Sequence, residues 1–176
     1  EAIANAFEAL GDYESAGVYF RRVAYHFPES DASFSLCKLY IANKKPHLLL
    51  AALNRYGINH DKTLSLIEYC FTRIDSEGDS SRLQEILALL YSRTGDQQRA
   101  SYILQQIINQ ENNGHDLRFA YRQLIAIVRK NSEPTSDDVR DLIEQYCSAY
   151  PDDGVAHQLA GEYFEAVGKN EQALSH

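Results

Sequence analysis

Three glycines with matching neighbours constrain the fold of this chain more than any other feature of its sequence. They are Gly11, Gly95 and Gly168. A small residue stands seven positions before each glycine, an aromatic residue four positions before it, and an alanine five positions after it. These residues are Ala4, Ala88 and Gly161; Phe7, Tyr91 and Phe164; and Ala16, Ala100 and Ala173. Such a recurrence indicates repeated structural units of one kind.

The similarity extends further along the chain. Phe20 and Leu104 stand nine positions after the first two glycines, and Val23 and Ile107 stand twelve positions after them. A fourth, partial copy precedes Pro151, where Val139, Ile143 and Tyr146 match Ala16, Phe20 and Val23 before Pro28. Small residues let two helices approach closely, and the larger apolar residues then pack on the next unit, so each unit is stabilised by stacking.

Apolar residues recur at helical spacing along nearly the whole chain, and no segment alternates convincingly as a strand would. The chain is therefore predicted to be all-α. The candidate helices span about 1–10, 12–27, 31–43, 46–56, 61–75, 79–93, 96–111, 115–130, 136–149, 153–167 and 169 onward. The three glycines are predicted to end their helices as left-handed caps, because glycine adopts a positive φ without steric cost.

These residues resemble the tetratricopeptide repeat family, whose unit is a pair of antiparallel helices of about 34 residues. The resemblance implies a right-handed superhelical array of helical hairpins, an α-solenoid of about ten to eleven helices. It is best at 1–28, 82–111 and 151–176, and we expect 1–176 to form a single array.

The middle of the chain departs from the pattern. Gly11 and Gly95 are 84 residues apart, which is two units of about 34 residues and a further 16. The segment 31–76 is therefore predicted to be irregular, with a degenerate hairpin at 31–57 and an extra or unpaired helix at 61–75.

Charge and motifs argue against several classes of protein. The net charge is −8 and the basic residues are scattered, which disfavours nucleic acid as a partner. The sequence contains no H-E-x-x-H, no C-x-x-C, no Gly-rich phosphate loop and no G-x-S-x-G. We therefore predict a non-enzyme with no catalytic residues, no cofactor and no metal site.

The cysteines and the chain ends bear on compartment. Cys37, Cys70 and Cys147 lie in apolar helical stretches and far apart, which favours buried thiols and a cytoplasmic location, although one long-range pair leaves an oxidising compartment open. No apolar run is long enough for membrane insertion. The absence of Met and the helical patterns at both ends favour a fragment of a longer protein.

The resemblance also implies a binding face. In arrays of this kind, the first helix of each pair lines a concave surface that contacts a partner peptide. The corresponding residues here are Asn5, Glu8, Glu85, Leu89, Ser92, Gln158, Glu162 and Glu165. Four of these eight are glutamates and none is basic, so we predict a protein-interaction scaffold that binds a neutral or basic protein or peptide segment. Glu1, Glu85 and Gln158 stand where one subgroup of the family carries cations for a C-terminal carboxylate, so we predict no such clamp.

Two alternatives to this function stay open. The chain is also consistent with a structural or assembly segment of a larger enzyme or of a secretion or export machine, which orients domains or self-associates. A third hypothesis is a small-ligand or peptide sensor, since helical arrays can close around a ligand.

Overall fold

The structure is a computed structural model that describes residues 1–28, 30–77, 80–110, 116–133, 135–169 and 173, without the side chain of residue 77. The described residues form helices and connecting turns and contain no strand. The helices are α1 Ala2–Ala9, α2 Tyr13–His26, α3 Ala32–Ala42, α4 Pro46–Tyr56, α5 His60–Glu77, α6 Ser81–Thr94, α7 Gln97–Asn109, α8 Arg118–Asn131, α9 Asp137–Ala149 and α10 Gly154–Ala166. The all-α prediction is confirmed, and each helix lies within a few residues of its predicted span. The predicted helix from 169 onward lies outside the described residues except for Lys169 and Ala173.

The three repeat glycines end their helices in the same way. Gly11, Gly95 and Gly168 have φ values of 77°, 92° and 75°. At Gly11, the glycine amide donates to the carbonyl of Glu8 at 3.0 Å, and the next amide donates to the carbonyl of Phe7 at 2.9 Å. The same two bonds recur at Gly95 and Gly168, where the second carbonyl belongs to Tyr91 and Phe164. The predicted left-handed caps are confirmed, and in each the carbonyl of the repeat aromatic closes the turn.

A further turn of this type occurs at Lys44, where the sequence carries no glycine. Lys44 has a φ of 53°, and its amide donates to Ile41 at 3.0 Å while the amide of Lys45 donates to the carbonyl of Tyr40 at 2.9 Å. Tyr40 stands four positions before Lys44, as the repeat aromatics do before their glycines, and Cys37 takes the place of the small residue. The hairpin α3–α4 is thus a copy of the repeat turn built around lysine.

Replacing Lys44 with glycine is expected to stabilise the chain by about 0.5–1 kcal/mol. A side chain in the left-handed region costs about 1–2 kcal/mol, and the greater freedom of glycine in the unfolded chain offsets part of that gain. Urea unfolding followed by circular dichroism would measure the difference. Lys44→Ala is the matched control, because it removes the same side chain and keeps the strain; equal stability of the two variants would contradict the prediction.

The chain consists of two compact units, residues 1–100 and 101–176, and the boundary falls within α7. In the first unit, α1 packs on α2, α2 on α3, α3 on α4, and α5 on α6. In addition, α5 contacts α3 and α6 contacts α4. Phe20, Leu36, Leu53, Leu66 and Ile86 are fully buried and form the core between these helices.

Residues 61–75, for which the sequence predicts an extra or unpaired helix, lie within α5, which packs against both α6 and α3. It therefore contacts one helix on each side in the sequence, α3 before it and α6 after it, and α6 in turn ends at the repeat glycine Gly95. Helix α6 is the central element of the first unit, because its residues from 85 to 90 are all buried. A helix with apolar residues on almost every side is stable only when neighbours cover it all round.

In the second unit, α9 packs on both α8 and α10. Tyr146 of α9 is fully buried and stacks on Tyr121 of α8, with ring centroids 5.1 Å apart. The start of α10 is joined to both helices by Asp153, whose side chain is 7% exposed. Across the ranges that the structure describes, no helix combines the length and the apolar character that a membrane span requires.

Candidate functional site

The predicted face residues on α1 and α10 lie at the surface. On α1, in the first unit, Asn5 is exposed and Glu8 is half-buried. On α10, in the second unit, Gln158, Glu162 and Glu165 are exposed. These positions are available to a partner on each unit separately.

Glu162 is already engaged within the second unit. Its Oε1 accepts from Nε2 of Gln158 at 2.9 Å, and its Oε2 accepts from Nη1 of Arg129 at 3.3 Å. The hydrogen bond from Gln158 and then that from Arg129 hold the pKa of Glu162 below its usual value. The charge of Glu162 is therefore largely balanced by Arg129, which leaves Glu165 as the more available anion on α10.

The predicted residues on α6 lie in the interior. Glu85 is 0% exposed, and its Oε2 accepts from Nη1 of Arg82 at 2.9 Å. Leu89 is 4% exposed, and Ser92 is half-buried with its Oγ donating to Oε1 of Gln97 at 3.2 Å. Glu85 and Leu89 do not form an open face, because α6 is enclosed by its neighbours instead of lining a surface.

An exposed row of residues on α5 offers a surface that the sequence analysis did not single out. Leu64 and Phe71 are 43% and 42% exposed. They alternate with exposed carboxylates at spacings of three and four residues, which places all of them on one face of the helix. We call this row the α5 stripe: Asp61, Leu64, Glu68, Phe71 and Asp75. Its spacing was visible in the sequence, but it becomes informative only once the opposite face of α5 is known to be covered by α6 and α3.

Two lysines near the α5 stripe are bound to other groups. Lys62 Nζ lies 2.8 Å from Oδ1 of Asp31, the N-cap residue of α3. Lys38 Nζ lies 4.8 Å from the ring centroid of Phe34 and 5.4 Å from that of Tyr69. Neither lysine belongs to the stripe, whose own charged members are all carboxylates.

A groove of about 350 Å³ lies among α2, α3 and the start of α4. Gly17 and Leu39 form its floor, and the partly exposed side chains of Tyr13 and Leu48 form its walls. Arg21 and Lys45, with Glu14 and Asn43, lie on its rim. We call it the α2–α4 groove.

A second cavity of about 270 Å³ is lined by Tyr25, Pro28, Arg55 and Tyr56. The guanidinium of Arg55 lies 5.7 Å from the ring centroid of Tyr25 and 5.8 Å from that of Tyr56. The aromatic rings therefore already hold this cation at the cavity wall.

The three cysteine thiols, which the sequence analysis predicts to lie in helices, are buried or half-buried from solvent. Cys37 and Cys70 are fully buried, and burial raises the pKa of each to about 12. Burial also raises the pKa of Cys147, which is half-buried. Since the thiolate is the nucleophilic form, burial disfavours nucleophilic reactivity at these cysteines. Within the described ranges no three His, Cys, Asp or Glu side chains are grouped as a metal site.

The chain is similar to known repeat proteins. The family model of the tetratricopeptide repeat matches residues 2–30, which correspond to α1 and α2. The crystal structure of the MamA protein is 20% identical over 99% of this chain and 84% of that chain, with a TM-score of 0.52. A structure of Pseudomonas aeruginosa pilF is 15% identical over 99% of this chain and 85% of that chain, with a TM-score of 0.43. The APC/C hetero-tetramer Cut9-Hcn1 is 15% identical over 99% of this chain and 37% of that chain, with a TM-score of 0.49. No curated protein sequence matches the chain. The likeness to MamA concerns the fold, a helical array of the α-solenoid type.

Proposed function

We propose that this chain, whose residues 2–30 match the tetratricopeptide repeat family, is a non-catalytic scaffold that binds a neutral or basic segment of a partner protein. The repeat match at residues 2–30 and the α-solenoid fold support a role in protein–protein interaction. Repeats of this kind stack side by side and so create extended surfaces for partners.

The α5 stripe is the observation that carries the preference for a basic partner. Leu64 and Phe71 each leave more than two fifths of their surface in water. Full burial of such a side chain contributes roughly 1.5–3 kcal/mol, so covering the exposed parts of both would favour association. The carboxylates of Asp61, Glu68 and Asp75 would then attract lysine or arginine and speed encounter more than they strengthen the final complex.

The spacing of the α5 stripe favours a helical partner segment. Apolar anchors at i and i+7 on one helix match the repeat of a partner amphipathic helix. The three carboxylates oppose pairing of the stripe with the same stripe of a second copy, since like charges would face each other. The partner segment is therefore an amphipathic helix with lysine or arginine beside its apolar face.

The exposed and half-buried members of the predicted face would add to this preference on other parts of the surface. Asn5 and Glu8 do so on α1, and Gln158 and Glu165 do so on α10. Glu162 contributes less because Arg129 balances its charge. Glu85 and Leu89 have no part in the proposal, since both are buried.

Replacing Glu68 with lysine is expected to weaken binding of a basic amphipathic helix by about tenfold, because an attraction becomes a repulsion at the centre of the α5 stripe. The probe is a synthetic helix with leucine and lysine at heptad spacing, and fluorescence anisotropy measures its dissociation constant. A matched peptide with glutamate in place of lysine should bind the unaltered chain more weakly.

Glu144→Lys on α9 is the control for this experiment, because Glu144 is also an exposed helical glutamate. It should leave the affinity nearly unchanged, whereas Phe71→Ala should lower it. Equal affinity for the lysine and glutamate peptides, or an equal effect of the two charge reversals, would refute the proposal.

A further inference from the structure

We infer that the α2–α4 groove is a second docking site with the opposite charge preference, which takes a partner segment carrying an apolar side chain next to an aspartate or glutamate. This site goes beyond the proposed function, because it lies on different helices from the α5 stripe and selects a different chemistry.

The size of the groove fits one or two side chains. Its volume of about 350 Å³ lies near the lower end of protein binding pockets, which hold about 300–1,000 Å³. Gly17 has no side chain to fill the space, and a Cβ built there would lie 3.5 Å from Cδ2 of Leu39. The glycine thus keeps the floor low while Leu39, at 2% exposure, gives it an apolar surface.

The walls favour an apolar occupant. Tyr13 and Leu48 are 47% and 43% exposed, although both stand beside the concave floor. An aliphatic or aromatic side chain inserted between them would cover apolar surface on three sides. Burial of that surface at about 25 cal/mol per Å² would supply the non-directional part of the binding.

The rim favours a carboxylate next to that apolar side chain. Nη1 of Arg21 donates to Oη of Tyr40 at 3.3 Å, which fixes the position of the guanidinium on one side of the groove. A guanidinium has five N–H donors, so this bond leaves donors for the two oxygens of a carboxylate. Lys45 provides a second cation on the rim, against the single carboxylate of Glu14, so the rim is locally positive in a chain whose net charge is −8.

The start of α4 adds to this preference. Lys45 is its N-cap residue and no side chain caps the helix, while Pro46 follows in the first turn. The positive end of the helix dipole therefore lies at the same rim as the two cations. Together these features favour an anion at the mouth of a groove whose interior is apolar.

The test uses capped synthetic peptides in which phenylalanine or leucine is followed by glutamate, glutamine or lysine, with binding measured by fluorescence anisotropy. We expect the glutamate peptides to bind about tenfold more tightly than the glutamine peptides, because the glutamine peptides lack the charge that pairs with Arg21 and Lys45. Lysine peptides should bind most weakly.

Substitutions in the α2–α4 groove test whether the peptides bind there, and the melting temperature shows whether each variant is still folded. Arg21→Gln and Lys45→Gln should each reduce the preference for glutamate over glutamine by severalfold, and both residues are exposed, so the melting temperature should change little. Leu48→Ser should weaken the glutamate and glutamine peptides alike. Arg55→Gln at the second cavity is the control and should leave all affinities unchanged.

Three results would overturn the inference: no peptide binds, the glutamate and glutamine peptides bind equally, or Arg21→Gln leaves the preference intact. Self-association of the chain that Arg21→Gln abolishes would likewise overturn it, since the occupant would then be a second copy. Glu68→Lys on the α5 stripe should not alter binding of the glutamate peptides, so failure of this site and failure of the proposed function are distinguishable.

Discussion

Replacing Asp153 with alanine is expected to lower the free energy of unfolding of the second unit by about 3 kcal/mol. Loss of a helix N-cap alone costs about 1 kcal/mol, and loss of a charged partner from a nearly buried network adds a similar amount or more. Asp153 serves both roles, since its side chain is 7% exposed and it is the N-cap residue of α10.

Both oxygens of Asp153 accept from Arg122, since Nη2 of Arg122 also donates to Oδ1 at 3.2 Å. Oδ1 accepts from the amides of Val155 and Ala156 at 2.8 and 3.3 Å and so caps α10. Oδ2 accepts from Nη2 of Arg122 at 2.9 Å and from Oη of Tyr146 at 3.2 Å. Nε of Arg122 also donates to Oη of Tyr146 at 2.7 Å, so one carboxylate joins α8, α9 and α10.

Asp153→Asn separates the cap from the charge, because asparagine caps helices well but carries no negative charge. Its expected cost is about half that of the alanine variant. Both are measured by urea unfolding monitored in the tyrosine and far-ultraviolet signals. A loss of less than 1 kcal/mol in the free energy of unfolding for Asp153→Ala would contradict the prediction that this network holds α8, α9 and α10 together.

The pH dependence gives an independent check on Asp153. Partial burial acts to raise its pKa, but the bonds from the Val155 amide and the charge of Arg122 outweigh burial, so the pKa lies below its usual value. A carboxyl group with a lowered folded pKa stabilises the protein above its unfolded pKa, and this contribution is lost as the pH falls through the folded pKa. The unaltered chain and the Asp153→Asn variant should therefore differ less in free energy of unfolding as the pH is lowered below about 4.

Replacing Arg82 with alanine is expected to destabilise the first unit by about 2–4 kcal/mol. Glu85 is 0% exposed, and Arg82, which is 30% exposed, donates to it at 2.9 Å. Removing one partner of a buried ion pair leaves the other charge in a low-dielectric interior, which costs more than the pair itself contributes. The expected result is a lower urea midpoint with an unchanged slope.

The double variant Arg82→Ala/Glu85→Gln tests the cause of this loss. It should recover part of the stability, because the buried carboxylate charge is gone. Arg99→Ala is the matched control, since the pair between Arg99 and Asp96 is exposed at 3.3 Å and should contribute less than about 1 kcal/mol. If the double variant is less stable than Arg82→Ala, the buried carboxylate is not the source of the loss.

The sequence predicts the repeat turns well and their exception poorly. At Gly11, Gly95 and Gly168 the local rule is sufficient, because a positive φ at a helix end selects glycine. At Lys44 the same backbone conformation is adopted by a lysine, so a repeat pattern anchored on glycine does not predict this turn. The signal that could have revealed it is the pair Cys37 and Tyr40 at the repeat distances.

The candidate sites were harder to predict because burial depends on neighbours distant in sequence. The repeat position of Glu85 before Gly95 predicts a place on the concave binding face, but α4 and α5 pack against α6, and Arg82 balances the charge of Glu85. The α2–α4 groove has no linear motif, since Gly17, Leu39 and Leu48 come from three helices. Only the packing of those helices brings an open floor and a positive rim together.

The all-round burial of α6 has a consequence for recognition on its neighbour. Helix α5 rests with one face on this enclosed helix and turns its stripe outward. A backbone supported in this way gives up little conformational freedom when a partner arrives, so most of the ordering cost of association falls on the partner segment. The α5 stripe therefore lies on a helix whose backbone is supported from behind, which favours a preorganised binding surface.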